Sequence, residues 1–186
     1  MFFAKKIYII VALLLPIYLL AQDYVAVGVG AGGEAEAANV TLEIGAMTQN
    51  KSLNYLYAVS VGFIFNGDSI PSDILEYPVP HTDYTSLGTK RKGTEIPLLL
   101  KYGLEVIKDK KIFVYVLGGA SFGEEIELAQ SNATGWYYEQ SSTSKIYGMY
   151  GGGVSYKATD KLLFSVEYDN RRGATGSIGY FWSQQY

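Results

Sequence analysis

NVTLEIGAMTQNKSLNYLYAVSVGFIF, residues 39–65, consists of two runs of alternating residues around a short polar turn. In the first run Val40, Leu42 and Ile44 take every second position, with Asn39, Thr41 and Glu43 between them. In the second, Tyr55, Tyr57, Val59, Val61, Phe63 and Phe65 alternate with a set that includes Ser60 and Gly62. Successive side chains leave a pleated backbone on opposite sides, so a period of two predicts strands, here two strands of a hairpin.

Working outward, the same period recurs along nearly the whole chain. Strands are expected near 23–33, 36–48, 52–66, 94–107, 111–125, 143–157, 160–170 and 174–186, with no long helical pattern between them. The turns TQNK, KDK and ATD join strands 2–3, 4–5 and 6–7. The other connections are GEAE, a long loop at 67–93, a second long loop at 124–143, and NRRG. Short turns on one side and longer loops on the other are the habit of bacterial outer-membrane barrels.

The 186 residues have room for one domain. They include no Cys, which removes disulfides, thiolate metal sites and cysteine nucleophiles. The net charge of −3, with no basic stripe, sets nucleic acid aside as a partner. Lys5 and Lys6 precede an apolar run from Ile7 to Leu20, and Ala21 offers a small residue for cleavage. That run falls short of the roughly 20 residues of a spanning helix, so residues 1–21 read as a cleaved signal peptide. The barrel then occupies 22–186.

In its strand-and-loop pattern the chain after residue 21 resembles the small eight-stranded OmpA-like and OmpX-like outer-membrane barrels. The expected fold is all-β, an eight-stranded antiparallel up-and-down transmembrane β-barrel. The resemblance implies a monomer in the cell outer membrane, among lipids and lipopolysaccharide, with no catalysis and no cofactor. The last strand, with Tyr180, Trp182 and the terminal Tyr186, resembles the signal read by outer-membrane assembly machinery, although Gln184 stands where an apolar residue is expected.

Alternation alone does not say which face points out. A lipocalin-like soluble barrel would turn the apolar set inward around a ligand. Three features favour lipid outside: a polar face rich in Gly, Ala and Ser, aromatic residues near strand ends, and the aromatic last strand. In this register Glu43, Glu95, Lys101, Glu105, Lys145, Glu167 and Asp169 face the lumen. An eight-stranded interior is just wide enough to be filled by side chains, so these read as an ion-paired plug, with a narrow ion path as the sharper alternative. Acids outnumber bases in this set, so Arg171 or water is expected to complete it.

Lys90, Arg91, Lys92, Arg171 and Arg172 cluster at the outer strand ends, where they could pair with lipopolysaccharide phosphates or form an ordinary solvated rim. The glycines of VGVGAGG lack the following helix of a phosphate loop and read as close strand packing. Pro97 cannot donate to a ladder, so a bulge or a rim position is expected there. His81, the single histidine, lies in the long second loop. Lipid A-modifying barrels of this size carry a His with a Ser or acid at the outer rim, yet the matching stretches here read GGEAE and YDNRRG. A lipid A acyl enzyme built on His81 is therefore the runner-up. The aromatics of the two long loops, Trp136, Tyr137 and Tyr138 among them, serve either ligand contact or loop packing.

Overall fold

The computed structural model describes residues 21–48, 53–65, 68, 70–80, 82–107 and 111–182. Most of the expected signal peptide, His81 and Tyr186 lie outside them. Eight strands follow in chain order: β1 (Ala21–Gly32), β2 (Ala37–Thr48), β3 (Tyr55–Phe65), β4 (Tyr84–Ile107), β5 (Ile112–Ser131), β6 (Tyr137–Lys157), β7 (Leu162–Asp169) and β8 (Gly173–Phe181). Each is antiparallel to its neighbours, and β8 closes on β1 from Tyr24↔Phe181 to Ala31↔Ala174. No edge is left inside the ring, so the backbone groups of the barrel wall have partners within it.

The apolar set faces outward. Val27, Leu42, Val61, Leu98, Val154, Val166 and Ile178 are exposed and form an aliphatic band. Tyr55, Tyr57 and Tyr102 cluster near its lower edge, the end of the ring where the first and last strands begin and finish. The Tyr57 and Tyr102 rings lie 5.3 Å apart, and Tyr156, Tyr180 and Trp182 are exposed at the same end. Phe63, Phe65, Phe122, Tyr150 and Tyr168 are exposed toward the other end. An apolar band between two aromatic girdles suits a bilayer with its two interfaces. The soluble alternative, with this set turned inward, is not the arrangement adopted.

The loops depart from expectation. β4, β5 and β6 run to 24, 20 and 21 residues, about twice the length of the other five strands. Their distal halves pair with one another and rise as a three-stranded extension beyond the ring. Most of what reads as loop at 84–93 and 124–143 is therefore sheet, closed by a turn at 132–136. The alternation signal depends on one wet and one dry face, and TSLGTKRK and EQSSTSK have no dry face to mark. Residues 70–80 pack on the extension: Leu75 bridges β6 through its N–H to the Tyr137 carbonyl at 3.0 Å. Val79 packs against Ala129 and Tyr138.

Pro97 is accommodated by a break in pairing. The β3–β4 ladder runs to Val61↔Leu98 and resumes at Ile64↔Glu95, omitting the pair that would contain Pro97. On its other side the β4–β5 register slips between Lys92 and Ile96.

Candidate functional site

Inside the ring, charge is arranged in two layers above an apolar floor. In the middle layer Lys101 Nζ sits between the carboxylates of Glu43 and Glu167. Glu167 also accepts from Arg172 Nη2 at 2.6 Å and from the Tyr115 hydroxyl at 3.0 Å. The Tyr24 hydroxyl donates to Glu43 at 2.7 Å. In the layer nearer the extension, Arg171 meets Glu95 through Nε, at 2.9 Å, and through Nη2. Ser121 donates to the same carboxylate at 3.0 Å. The Arg171 guanidinium lies 3.7 Å from the centre of the Tyr147 ring.

The turn between β7 and β8 explains how two arginines come to lie indoors. Asp169 Oδ1 accepts the backbone N–H groups of Arg171 and Arg172, at 3.0 and 2.7 Å, and Oδ2 accepts Arg172 Nε at 2.6 Å. Gly173, at φ +72°, completes the reversal. Asn39 then ties the Arg172 carbonyl to β2 at 3.0 Å. A short acidic turn thus pulls both side chains toward the carboxylates of the wall.

Two glycines make room for the tyrosines of this network. A Cβ at Gly45 would lie 2.5 Å from the Tyr24 ring, and one at Gly153 would lie 2.6 Å from the Tyr115 hydroxyl. Each ring therefore lies against bare backbone on a neighbouring strand. Toward the terminal end, Tyr24, Met47, Leu56, Phe113, Leu163 and Phe181 close the lumen with apolar contacts. Below them Lys157 donates to Gln22 Oε1 at 2.6 Å and faces the Phe181 ring at 4.9 Å.

The expected lumen set is thus only partly assembled. Glu43, Glu95, Lys101, Glu167 and Asp169 are buried together. Glu105 lies apart, near the terminal end, where Asn54 donates to it. Lys145 is not in the lumen: its side chain is 46% exposed on the extension, 3.5 Å from Glu125. Arg171 and Arg172 are corrections in the opposite sense. Read as outer-end residues for lipopolysaccharide phosphates or a solvated rim, with Arg171 also a candidate to complete the lumen set, they are buried and ion-paired, because unpaired lumen carboxylates would be costly and these cations neutralise them. The excess of acids over bases was the signal that could have placed Arg172 as well as Arg171. Tyr24 and Tyr115 could have been placed by alternation, since they share strands with Val27, Val114 and Val116 but fall on the opposite face.

Of the remaining rim cations, Arg91 holds Asp68 at 3.1 and 3.3 Å and reaches the Glu34 carbonyl at 3.0 Å. Its hydrogen bonds keep the Asp68 carboxyl below its usual pKa. Lys92 bridges Glu139 and Glu76 at 2.8 and 2.7 Å, and both hydrogen bonds raise its pKa. These contacts fasten the segment after β3 to the extension. Lys90 lines the mouth of the barrel with Glu34, Glu125 and Tyr147. Tyr180 and Trp182 are exposed at the terminal end. Among the described residues no group of three or more His, Cys, Asp or Glu could hold a metal.

An apolar wall around an ion-paired lumen, closed in a ring of eight antiparallel strands, makes an eight-stranded barrel that resembles the small outer-membrane barrels. Among solved structures, the chain is similar to the attachment invasion locus protein Ail of Yersinia pestis, in complex with the heparin analogue sucrose octasulfate. That likeness has 10% identity and a TM-score of 0.50, over 88% of this chain and 99% of that one. Ail without that ligand gives 10% and 0.49 over the same shares, and Neisserial surface protein A gives 15% and 0.36 over 87% and 93%. Identity this low speaks for the fold alone. No protein-family model matches the chain, and no curated protein matches it in sequence.

Proposed function

We propose that the protein is a monomeric outer-membrane barrel whose lumen is closed and whose work is done at its surface. It serves membrane integrity or contact with external ligands through the extension of β4, β5 and β6. The observation that carries this reading is the pairing of an outward apolar band with a lumen filled by Lys101, Arg171, Arg172 and their carboxylates. In this reading residues 1–21 are a signal peptide, and Tyr180, Trp182 and Tyr186 present the last strand to assembly machinery. Lys90 is the cation best disposed toward lipopolysaccharide phosphate; Arg91 and Lys92 contribute only by exchanging their present partners.

The test is electrophoresis of outer-membrane fractions with and without boiling, followed by planar-bilayer recording. A heat-dependent mobility shift without steady conductance is expected. Unshifted protein in the soluble periplasmic fraction would overturn the membrane assignment. Conductance abolished by Lys101→Met would replace the closed lumen with a charged path.

A further inference from the structure

The turn that closes the extension is braced far beyond what a hairpin needs. Ser131 Oγ accepts the N–H groups of Ala133 and Thr134, each at 3.2 Å. Gly135, at φ +74°, donates to the Ser131 carbonyl at 2.8 Å, and Gln130 Nε2 donates to the Gly135 carbonyl at 3.0 Å. Asn132 donates to Asp83 at 2.7 Å and accepts from Thr85 at 2.8 Å, locking the turn to the start of β4. The Trp136 N–H donates to Thr134 Oγ1 at 3.3 Å, and its carbonyl accepts from Ser131 at 3.0 Å. All this fixes the backbone that carries Trp136, which is 59% exposed. Tyr138, two residues on, is buried against Val79 and so belongs to the packing of the loop.

We infer that this tip is a binding platform for an uncharged sugar ring. The inference rests on the surface-barrel reading above and names a ligand class for it. A pyranose presents a flat patch of C–H bonds that covers one indole face, with hydroxyl groups around its edge. The indole offers an apolar face, and the strand end and turn that carry it supply the polar side chains of Gln130, Asn132 and Thr134. The Asn132 amide has two donors and two lone pairs, so after bonding Asp83 and Thr85 it retains one of each. The Gln130 amide and the Thr134 hydroxyl, each engaged once in the same turn, have further capacity.

The neighbours of Trp136 in the turn are Asn132, Ala133, Thr134 and Gly135, all small or polar and exposed. Even with Tyr84, exposed and paired with Ser131 at the base of the turn, that surface has fewer apolar side chains than the core of a protein interface of about 800 Å² per partner. Pre-organisation by the bracing removes the ordering cost that a single-ring contact could not offset. Position also favours it: residues 123–131 of β5 rise about 30 Å at about 3.3 Å each, so the tip stands clear of the bilayer. The sugar can belong to the surrounding lipopolysaccharide or to another surface.

The test has two arms on the full-length protein. The chain contains no Cys, so Ala133→Cys introduces a unique thiol, labelled on intact cells by a membrane-impermeant maleimide. Labelling only after lysis overturns the surface reading itself. Detergent-folded protein is then applied to an array of neutral and sulfated oligosaccharides that includes polysaccharide from the host cells' own lipopolysaccharide. Retention on at least one class of neutral glycan is expected, weakened at least tenfold by Trp136→Ala and less by Trp136→Phe. It should be unchanged by Tyr156→Ala at the opposite end, where that ring is likewise exposed, and each variant must retain the heat-dependent mobility shift. Binding to the host polysaccharide or to foreign spots tells the two sources apart. Surface labelling with no neutral glycan retained, with retention indifferent to Trp136→Ala, or with binding confined to sulfated spots, overturns the sugar platform while leaving the barrel reading intact.

Discussion

Replacing Lys101 by Met tests whether the lumen is dry and interlocked. The Lys101 side chain is 2% exposed, and its Nζ is shared by Glu43 and Glu167. The two acids lose it unequally. Glu167 keeps Arg172 and the Tyr115 hydroxyl, whereas Glu43 keeps only the Tyr24 hydroxyl among the side-chain partners described here. Removing one partner of a buried pair costs about 3 to 5 kcal/mol, because the survivor stays buried and charged. With a urea dependence of about 2 kcal/mol per molar, the unfolding midpoint should fall by about 2 M. Adding Glu43→Gln removes the stranded charge, so the double variant should recover most of the loss. The assay is urea unfolding in micelles, followed by tryptophan fluorescence and by the heat-dependent mobility shift. A midpoint change below about 0.5 M, a cost of about 1 kcal/mol at that slope, would refute the reasoning, as would a double variant no better than the single. Either result would mean that water reaches these carboxylates.

On the outer wall, Val166→Lys should cost about 2 to 4 kcal/mol if that face meets hydrocarbon, and almost nothing if it meets water; urea titration in lipid vesicles decides. In the lumen, Gly153→Ala should destabilise by about 1 to 3 kcal/mol, because its Cβ would meet the Val166 backbone carbonyl at 2.5 Å and the Tyr115 hydroxyl at 2.6 Å. Gly148→Ala, where a Cβ meets nothing within 4 Å, should be silent in the same assay. Asp68 holds Arg91 with a pKa below its usual value of 3.8. Its stabilising contribution is therefore complete above that value and is lost as pH falls through the lower folded pKa. Amide exchange of residues 70–80 should thus be independent of pH from 7 to 5, after correction for intrinsic rates, and should accelerate below about pH 4. Acceleration already at pH 6 would implicate a different group.

The sequence announced the wall more clearly than the lumen. Wherever one face meets lipid, as at Leu98, Leu100 and Leu104, the period of two is strong enough to assign strand and side together. Arg171 and Arg172 show its limit: a charged residue near a strand end looks the same whether water or a buried carboxylate awaits it. The decision there belongs to Asp169 and to a turn geometry that hydropathy does not encode. The extension was hidden for a related reason, since the distal halves of β4 and β6 have no dry face to alternate, and the buried Ile126 and Leu128 of β5 are too few to mark a sheet alone. Alternation with Val27, Val114 and Val116 turns Tyr24 and Tyr115 inward, and Gly45 and Gly153, on strands paired to theirs, leave space for the rings.

Because only β4, β5 and β6 continue upward, the molecule has a front and a back. On one flank a screen of sheet stands between the barrel mouth and whatever approaches along the cell surface. On the opposite flank, where β7, β8, β1, β2 and β3 stop near the ring, the mouth lies open to its neighbours. An axially symmetric barrel would meet a passing lipid or protein the same way from every side. Here, rotation about the membrane normal decides which encounters reach the charged rim at Glu34 and Lys90 and which are turned aside, so that heading becomes a property of the protein as much as depth.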